Sequence, residues 1–146
     1  MKANRNYAVE FVRNAIAELL PLLGARMTVE LGGLTGRLIG LQYYAETARD
    51  LEISDGDATT AAELLIRVFA GMGDACSMDK DDGAGTATVA QSSLRIVRGM
   101  SGEERQTLLA CWVEIWRGML RAFRTIKSIE TLPHGEGLVW KIRDNH

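Results

Sequence analysis

The chain has 146 residues, of which 47% are hydrophobic and 25% charged, and this composition is typical of one globular domain, here 1–146. A formal net charge of −2 argues against general nucleic-acid binding, which needs a basic face. The two cysteines do not form a disulfide framework and indicate a reducing compartment. No apolar run resembles a signal peptide or a membrane span, so we expect a cytoplasmic protein that does not contact a membrane.

Three helices are predicted before the first strand. Apolar residues at helical spacing predict the first over 5–20, and Pro21 should end or kink it. The second is expected over 26–50. A capping box that begins at Thr60 predicts the start of the third, which stops at Gly73.

Strands and one further helix are predicted in the second half. The segments "DACSMDK" and "GTATVAQSSLRIVRG" flank a turn at Asp82-Gly83 and indicate a β-hairpin. A capping box that begins at Ser101 opens an amphipathic helix over 102–124. "TIKSIETL" and "GLVWKIR" then form a second hairpin, because apolar residues alternate in the last segment. These elements predict an α+β domain with helices on a small antiparallel sheet. The apolar stripe of the long helix comprises Leu108, Trp112, Ile115, Trp116, Met119 and Phe123.

The stretch "GGLTGRLIGLQYYAE" at 32–46 is rich in glycine but is not a phosphate-binding loop. A P-loop requires Lys-Ser or Lys-Thr after its glycines, and here Arg37-Leu38 follows Gly36. Gly32, Gly36 and Gly40 lie four residues apart and therefore share one helix face. Two explanations remain open: close packing against another helix, within the chain or across a dimer, or a hollow filled by a ligand.

The ligand explanation defines a candidate binding site between helices and sheet. Gly36 and Gly40 would make room, and Gly40→Leu would then remove binding while the protein stays folded. Aromatic side chains would line the space, although a tryptophan pair one turn apart is also typical of a core stripe. A charged side chain, Arg95 on the predicted long strand or Glu46, would orient a polar end. The aromatic residues of this site are Tyr43, Tyr44, Trp112 and Trp116.

A catalytic alternative is a small hydrolase that acts on a C–N bond of a heterocycle or amide. Glu46 or Glu114 would be the general base, or Cys111 the nucleophile. The simpler interpretation is that the two carboxylates are solvated and that Cys76 and Cys111 are inert buried thiols. We expect Glu114 to pair with Arg117 or Arg121.

No metal or cofactor is predicted. His134 lies in a hairpin turn and His146 at the last position, which is too little for a histidine-rich metal centre. The segment "DKDDG" begins like a calcium loop, but Gly83 takes the next alternate ligand position and no acidic residue closes the loop.

Two segments carry a family resemblance, "GRLIGLQYYAE" in an early helix and the closing "TLPHGEGLVWKIR" hairpin. With the hairpin and long helix between them, the chain resembles 4-vinyl reductase-like small-molecule-binding domains and the L-2-amino-thiazoline-4-carboxylic acid hydrolase-like family. The first resemblance implies ligand binding and the second implies hydrolysis. Domains of the vinyl-reductase type often carry cysteines late in the chain, some of which bind a metal. This sequence has Trp140 in its final strand and no cysteine cluster there, so the resemblance does not imply a metal site here.

Three functions are therefore compatible with the sequence. The first hypothesis is a homodimer that binds a small apolar or aromatic molecule, and the second is the hydrolase. The third is a non-catalytic subunit that uses its glycine face and exposed apolar area for assembly.

Overall fold

The computed structural model describes residues 2–50, 56–81 and 85–145, with backbone alone for 2–11, 80 and 81. The described residues contain three α-helices and a four-stranded antiparallel sheet, which confirms the predicted α+β class. In chain order the elements are α1 (Lys2–Asp50), α2 (Ala58–Gly71), β1 (Cys76–Asp81), β2 (Thr86–Gln91), a 3-10 helix (Arg95–Val97), α3 (Gly102–Leu120), β3 (Ile126–His134) and β4 (Gly137–Asp144).

In the described residues two helical elements precede the first strand rather than the predicted three, because the helices predicted over 5–20 and 26–50 belong to a single element, α1. The first, α1, is a 49-residue element with Pro21 inside it, and its backbone leaves the helical region at Gly24 (φ 75°, ψ 165°). This left-handed conformation is open to glycine, which has no Cβ atom, and the break therefore falls three residues after the proline.

The chain reverses direction at Gly24. A Cβ atom built on Gly32 would lie 3.2 Å from Cδ1 of Ile16, whereas a straight helix would separate these two residues by about 24 Å. We call residues 2–23 the N-terminal arm and residues 25–50 the glycine arm of α1. The two arms pack side by side, and the glycine arm also packs along α3.

The ends of α2 and α3 differ in detail from the prediction. Asp57, not Thr60, is the N-cap of α2, and its carboxylate accepts a hydrogen bond of 2.9 Å from the Thr60 amide. Gly73, with φ 88°, follows the end of that helix as expected. Ser101 is the N-cap of α3 but makes no side-chain capping bond, and α3 ends at Leu120 rather than at 124.

The strand order in the sheet is β1-β2-β4-β3. Val89 lies opposite Trp140 and Ala87 opposite Ile142, and all four side chains are buried on the face that α2 covers. The alternation predicted for the last strand is therefore confirmed. The predicted long strand is wrong, because β2 ends at Gln91, and the predicted turn at Asp82-Gly83 lies outside the described residues.

An aromatic cluster forms the core between α2, α3 and the sheet. The Phe69 ring lies between Trp116, at 5.5 Å centroid distance, and Trp140, at 5.8 Å. Trp112 meets Trp116 edge-on at 5.1 Å, a geometry that aromatic quadrupoles favour. Across the described ranges, no helix has the length and apolarity needed to cross a membrane.

Candidate functional site

The glycine face of α1 packs directly against the backbone of α3. A Cβ atom on Gly36 would lie 3.1 Å from the Cys111 carbonyl oxygen, and one on Gly40 would overlap the Ile115 carbonyl oxygen. From the other side, a Cβ atom on Gly118 would lie 2.7 Å from the Cα of Arg37. Close packing within the chain therefore explains Gly40, and the room that this glycine was expected to leave is filled by α3.

An apolar cavity of about 180 Å³ lies beside this contact, between the two arms of α1 and α3. Thr35 and Cys111 contribute the polar groups in its wall. The remaining lining residues are Val12, Ala15, Ile16, Leu19, Leu31, Gly32, Gly36, Ile39 and Ile115. We call this space the inter-arm cavity.

A smaller space of about 30 Å³ adjoins the inter-arm cavity, since Val12, Ile39 and Ile115 line both. Tyr43, Met72, Trp112 and Trp116 complete its wall. The structure thus brings four of the predicted ligand residues, Gly36, Tyr43, Trp112 and Trp116, to two neighbouring cavities. The N-terminal arm contributes the opposite wall, which the sequence analysis missed because its apolar spacing also fits ordinary core.

The tryptophans at these cavities are mainly core residues. Trp112 is 2% exposed and Trp116 is 1% exposed, and Tyr43 packs edge-on against Trp116 at 5.6 Å. Neither indole N–H has a hydrogen-bond acceptor in the described part of the chain. Both N–H groups are buried, and the surface that the smaller space exposes is apolar, so the pair offers a ligand an apolar wall.

Three predicted site residues lie away from both cavities. Tyr44 packs edge-on against Phe123 at 5.1 Å, and Glu46 is exposed, where its carboxylate accepts a weak 3.5 Å bond from Gln42. Arg95 lies in the 3-10 helix rather than on a strand. Its guanidinium donates to the Met72 carbonyl oxygen at 3.3 Å, so it does not orient a ligand in the inter-arm cavity.

The catalytic candidates Glu114 and Cys111 lie near each other on α3 without forming a reactive pair. The Glu114 carboxylate accepts from Arg37 at 3.0 Å and from Arg117 at 2.9 Å, which confirms the predicted pairing with Arg117. Burial, and secondly the negative charge of Glu114, raises the pKa of the Cys111 thiol to about 11. Burial and then Asp74 raise the pKa of Cys76 to about 11 as well. At neutral pH both groups are thiols, which are poor nucleophiles.

A third cavity, of about 530 Å³, is more polar and lies beside the β3–β4 turn. It was missed in the sequence because its walls come from three separate segments. The loop before α3 contributes Arg98, the first turns of α3 contribute Arg105, and the β3–β4 turn contributes Glu136. The carbonyl oxygen of Arg98 also accepts a bond of 3.2 Å from Arg13.

No protein-family model and no curated protein matches the chain. The resemblance to vinyl-reductase-like domains and to the thiazoline hydrolase-like family therefore stays a prediction. Within the described ranges, no three His, Cys, Asp or Glu side chains come close enough together to hold a metal ion.

Proposed function

We propose that the protein binds a small apolar or aromatic molecule in the inter-arm cavity. The observation that carries this proposal is a space of about 180 Å³ in whose wall, among the described side chains, only Thr35 and Cys111 are polar. A closed apolar cavity of about 150 Å³ in another protein binds benzene, and the inter-arm cavity has a similar volume but opens to solvent beside Leu31. A ligand of one or two rings matches the size and chemistry of this space.

Binding is better supported than catalysis by the groups at the site. The hydrolase hypothesis needs a free base or a thiolate, but Glu114 is engaged by Arg37 and Arg117, and the pKa of Cys111 is raised to about 11. The resemblance to small-molecule-binding domains of the vinyl-reductase type points to the same function.

We also propose that the protein is a cytoplasmic homodimer. Both cysteines are free thiols, as is usual in a reducing compartment. The glycine arm also has large apolar side chains that are exposed, and a second copy of the chain could cover them.

The test is a thermal-shift titration with benzene, toluene and indole, preceded by native mass spectrometry for a copurified ligand. Ala15 lines the cavity and Ala17 is exposed on the same arm, so Ala15→Phe should fill the space and Ala17→Phe should not. We expect the wild type and Ala17→Phe to gain stability with ligand, because a ligand that binds only the folded state raises the melting temperature. A wild type that responds to none of the three and carries no ligand contradicts the proposal. So does an Ala15→Phe variant that responds like the wild type.

A further inference from the structure

The outward face of the glycine arm carries a row of large apolar side chains. Their exposed fractions run from 46% to 63%, and the most exposed is Leu38. Successive members are four, three, four and three residues apart, the spacing of a and d positions in a coiled coil. The members of this row, which we call the leucine stripe, are Met27, Leu31, Leu34, Leu38 and Leu41.

The opposite face of the same arm is already packed. Gly36 and Gly40 lie against the backbone of α3, so the arm is apolar on its inner and its outer face. A helix normally buries its apolar face, so an arm with two apolar faces is expected to bury both. The five members of the stripe extend over about 21 Å along the helix axis. An exposed apolar patch of this extent marks an interaction site.

We infer that the leucine stripe pairs with the same stripe of a second copy in antiparallel orientation. This inference deepens the homodimer proposal. Leu31 belongs both to the stripe and to the wall of the inter-arm cavity, whereas Leu38, the residue changed in the test below, does not line that cavity. The 4-3-4-3 spacing suits knobs-into-holes packing between two helices. When Leu31 lies opposite Leu34 of the second copy, Met27 lies opposite Leu38, so that both outer layers are apolar.

The charges beside the stripe favour this orientation. In the same register, Glu30 of one copy lies beside Arg37 of the other, and the two-fold symmetry repeats the pair. The side chains of Glu30 and Arg37 are 57% and 40% exposed. Arg37 uses one nitrogen for Glu114, and a guanidinium has five N–H donors, so it can serve both carboxylates. In a parallel pair, Glu30 would face Thr35 and Arg37 would face Gln42, with no charge pairing.

The experiment is sedimentation equilibrium on the full chain and on matched variants. Leu38→Glu places a charge in the stripe, and Leu132→Glu makes the same change at another exposed leucine, on β3. We expect the wild type and Leu132→Glu to have twice the 16.0 kDa chain mass, and Leu38→Glu to be a monomer with an unchanged circular dichroism spectrum. Neither Leu38 nor Leu132 lines the inter-arm cavity, so ligand binding can be measured separately.

The orientation has its own test. Glu30→Arg would place two arginines together in the antiparallel register, and Glu18→Arg makes the same charge change at an exposed site on the N-terminal arm. We expect Glu30→Arg to raise the dimer dissociation constant about tenfold or more, from two lost attractions and two new repulsions, and Glu18→Arg to leave it unchanged. A monomeric wild type overturns the homodimer itself. A dimer that withstands Leu38→Glu overturns the surface, and one that is insensitive to Glu30→Arg overturns the orientation.

Discussion

Gly40 and Ile115 bring the backbones of α1 and α3 into direct contact. A Cβ atom on Gly40 would overlap the carbonyl oxygen of Ile115 and stand 2.7 Å from the amide nitrogen of Met119. Because both obstructing atoms belong to the backbone of a helix, only a separation of the two helices could make room. The glycine is thus required by the packing of α1 on α3.

We predict that Gly40→Ala lowers the free energy of unfolding by about 1–3 kcal/mol or more, since overpacking exceeds the gain in helix propensity. Gly33→Ala is the matched control, because its Cβ atom would make ordinary contacts of 3.4 Å and longer. It should be neutral or stabilising by up to about 1 kcal/mol. Urea unfolding followed by circular dichroism measures both. Equal stability of the two variants would refute this account of the contact. Because even a Cβ atom at Gly40 would overlap the Ile115 carbonyl oxygen, we now expect Gly40→Leu to unfold the protein rather than only to remove ligand binding.

A buried hydrogen-bond chain ties the end of α2 to the sheet. The Trp140 indole donates to Oε1 of Gln91 at 3.2 Å, and Nε2 of Gln91 donates to the carboxylate of Asp74 at 2.7 Å. The carboxylate also accepts from the Arg95 amide at 3.2 Å. Because an indole can only donate, it fixes the orientation of the Gln91 amide, and Asp74 must therefore accept.

We predict that Asp74→Asn lowers the free energy of unfolding by about 1–3 kcal/mol, although the two side chains are nearly equal in size. Both carboxylate oxygens accept, one from Gln91 and one from the Arg95 amide, whereas an asparagine has a single acceptor oxygen. If that oxygen serves Arg95, the NH₂ group meets the Gln91 NH₂ group, and turning Gln91 over would leave the Trp140 N–H without an acceptor; if it serves Gln91, the NH₂ group meets the Arg95 N–H. The double variant Asp74→Asn with Trp140→Phe frees Gln91 to turn, so its loss should be smaller than the sum of the single losses. Additive losses in denaturant unfolding would contradict the chain.

Local patterns predicted most of the elements but not the long-range contacts. The alternation of Leu138, Trp140 and Ile142 is a property of one strand, and it correctly gave both the strand and its buried face. The reversal at Gly24 depends on how the two arms of α1 pack against each other. The spacing of apolar residues is helical before and after Gly24, so this spacing does not reveal the reversal. The two adjoining cavities need both arms of α1, so Tyr43 and Trp112 of the smaller space could be named from the sequence, but Val12, which lines both spaces, could not.

Both cysteines should react slowly with iodoacetamide in the folded protein at neutral pH. The pKa of each thiol is raised to about 11 from an ordinary 9.0, so the reactive thiolate is scarce. Mass spectrometry of the alkylated protein should show labelling of Cys111 only after denaturation. Rapid labelling of native Cys111 at neutral pH would revive the hydrolase hypothesis.

The raised pKa values of the two thiols also predict how the stability of the protein changes with pH. Between about pH 9 and 11 the unfolded chain has lost thiol protons that the folded chain still holds. The unfolded state then binds fewer protons, so the free energy of unfolding is unaffected by these groups below pH 9 and falls as the pH rises through this window. A Cys76→Ala, Cys111→Ala variant should lose this part of the alkaline decline. Denaturant unfolding at several pH values compares the two proteins, and an identical decline in both would contradict the assignment.

Ile39 lies between the two adjoining cavities and lines both. Ile39→Ala should join them into one larger space and lower the free energy of unfolding by about 2–5 kcal/mol, less where the neighbouring side chains relax. Leu22→Ala is the control, because Leu22 is 79% exposed and lines neither cavity, and it should change stability by less than about 0.5 kcal/mol.

If the inter-arm cavity is the binding site, the Ile39→Ala variant should also accept a larger aromatic ligand, such as naphthalene, more readily than the wild type. Thermal-shift titrations of both variants with toluene and naphthalene measure this preference. An unchanged preference in a folded Ile39→Ala variant would place the ligand elsewhere.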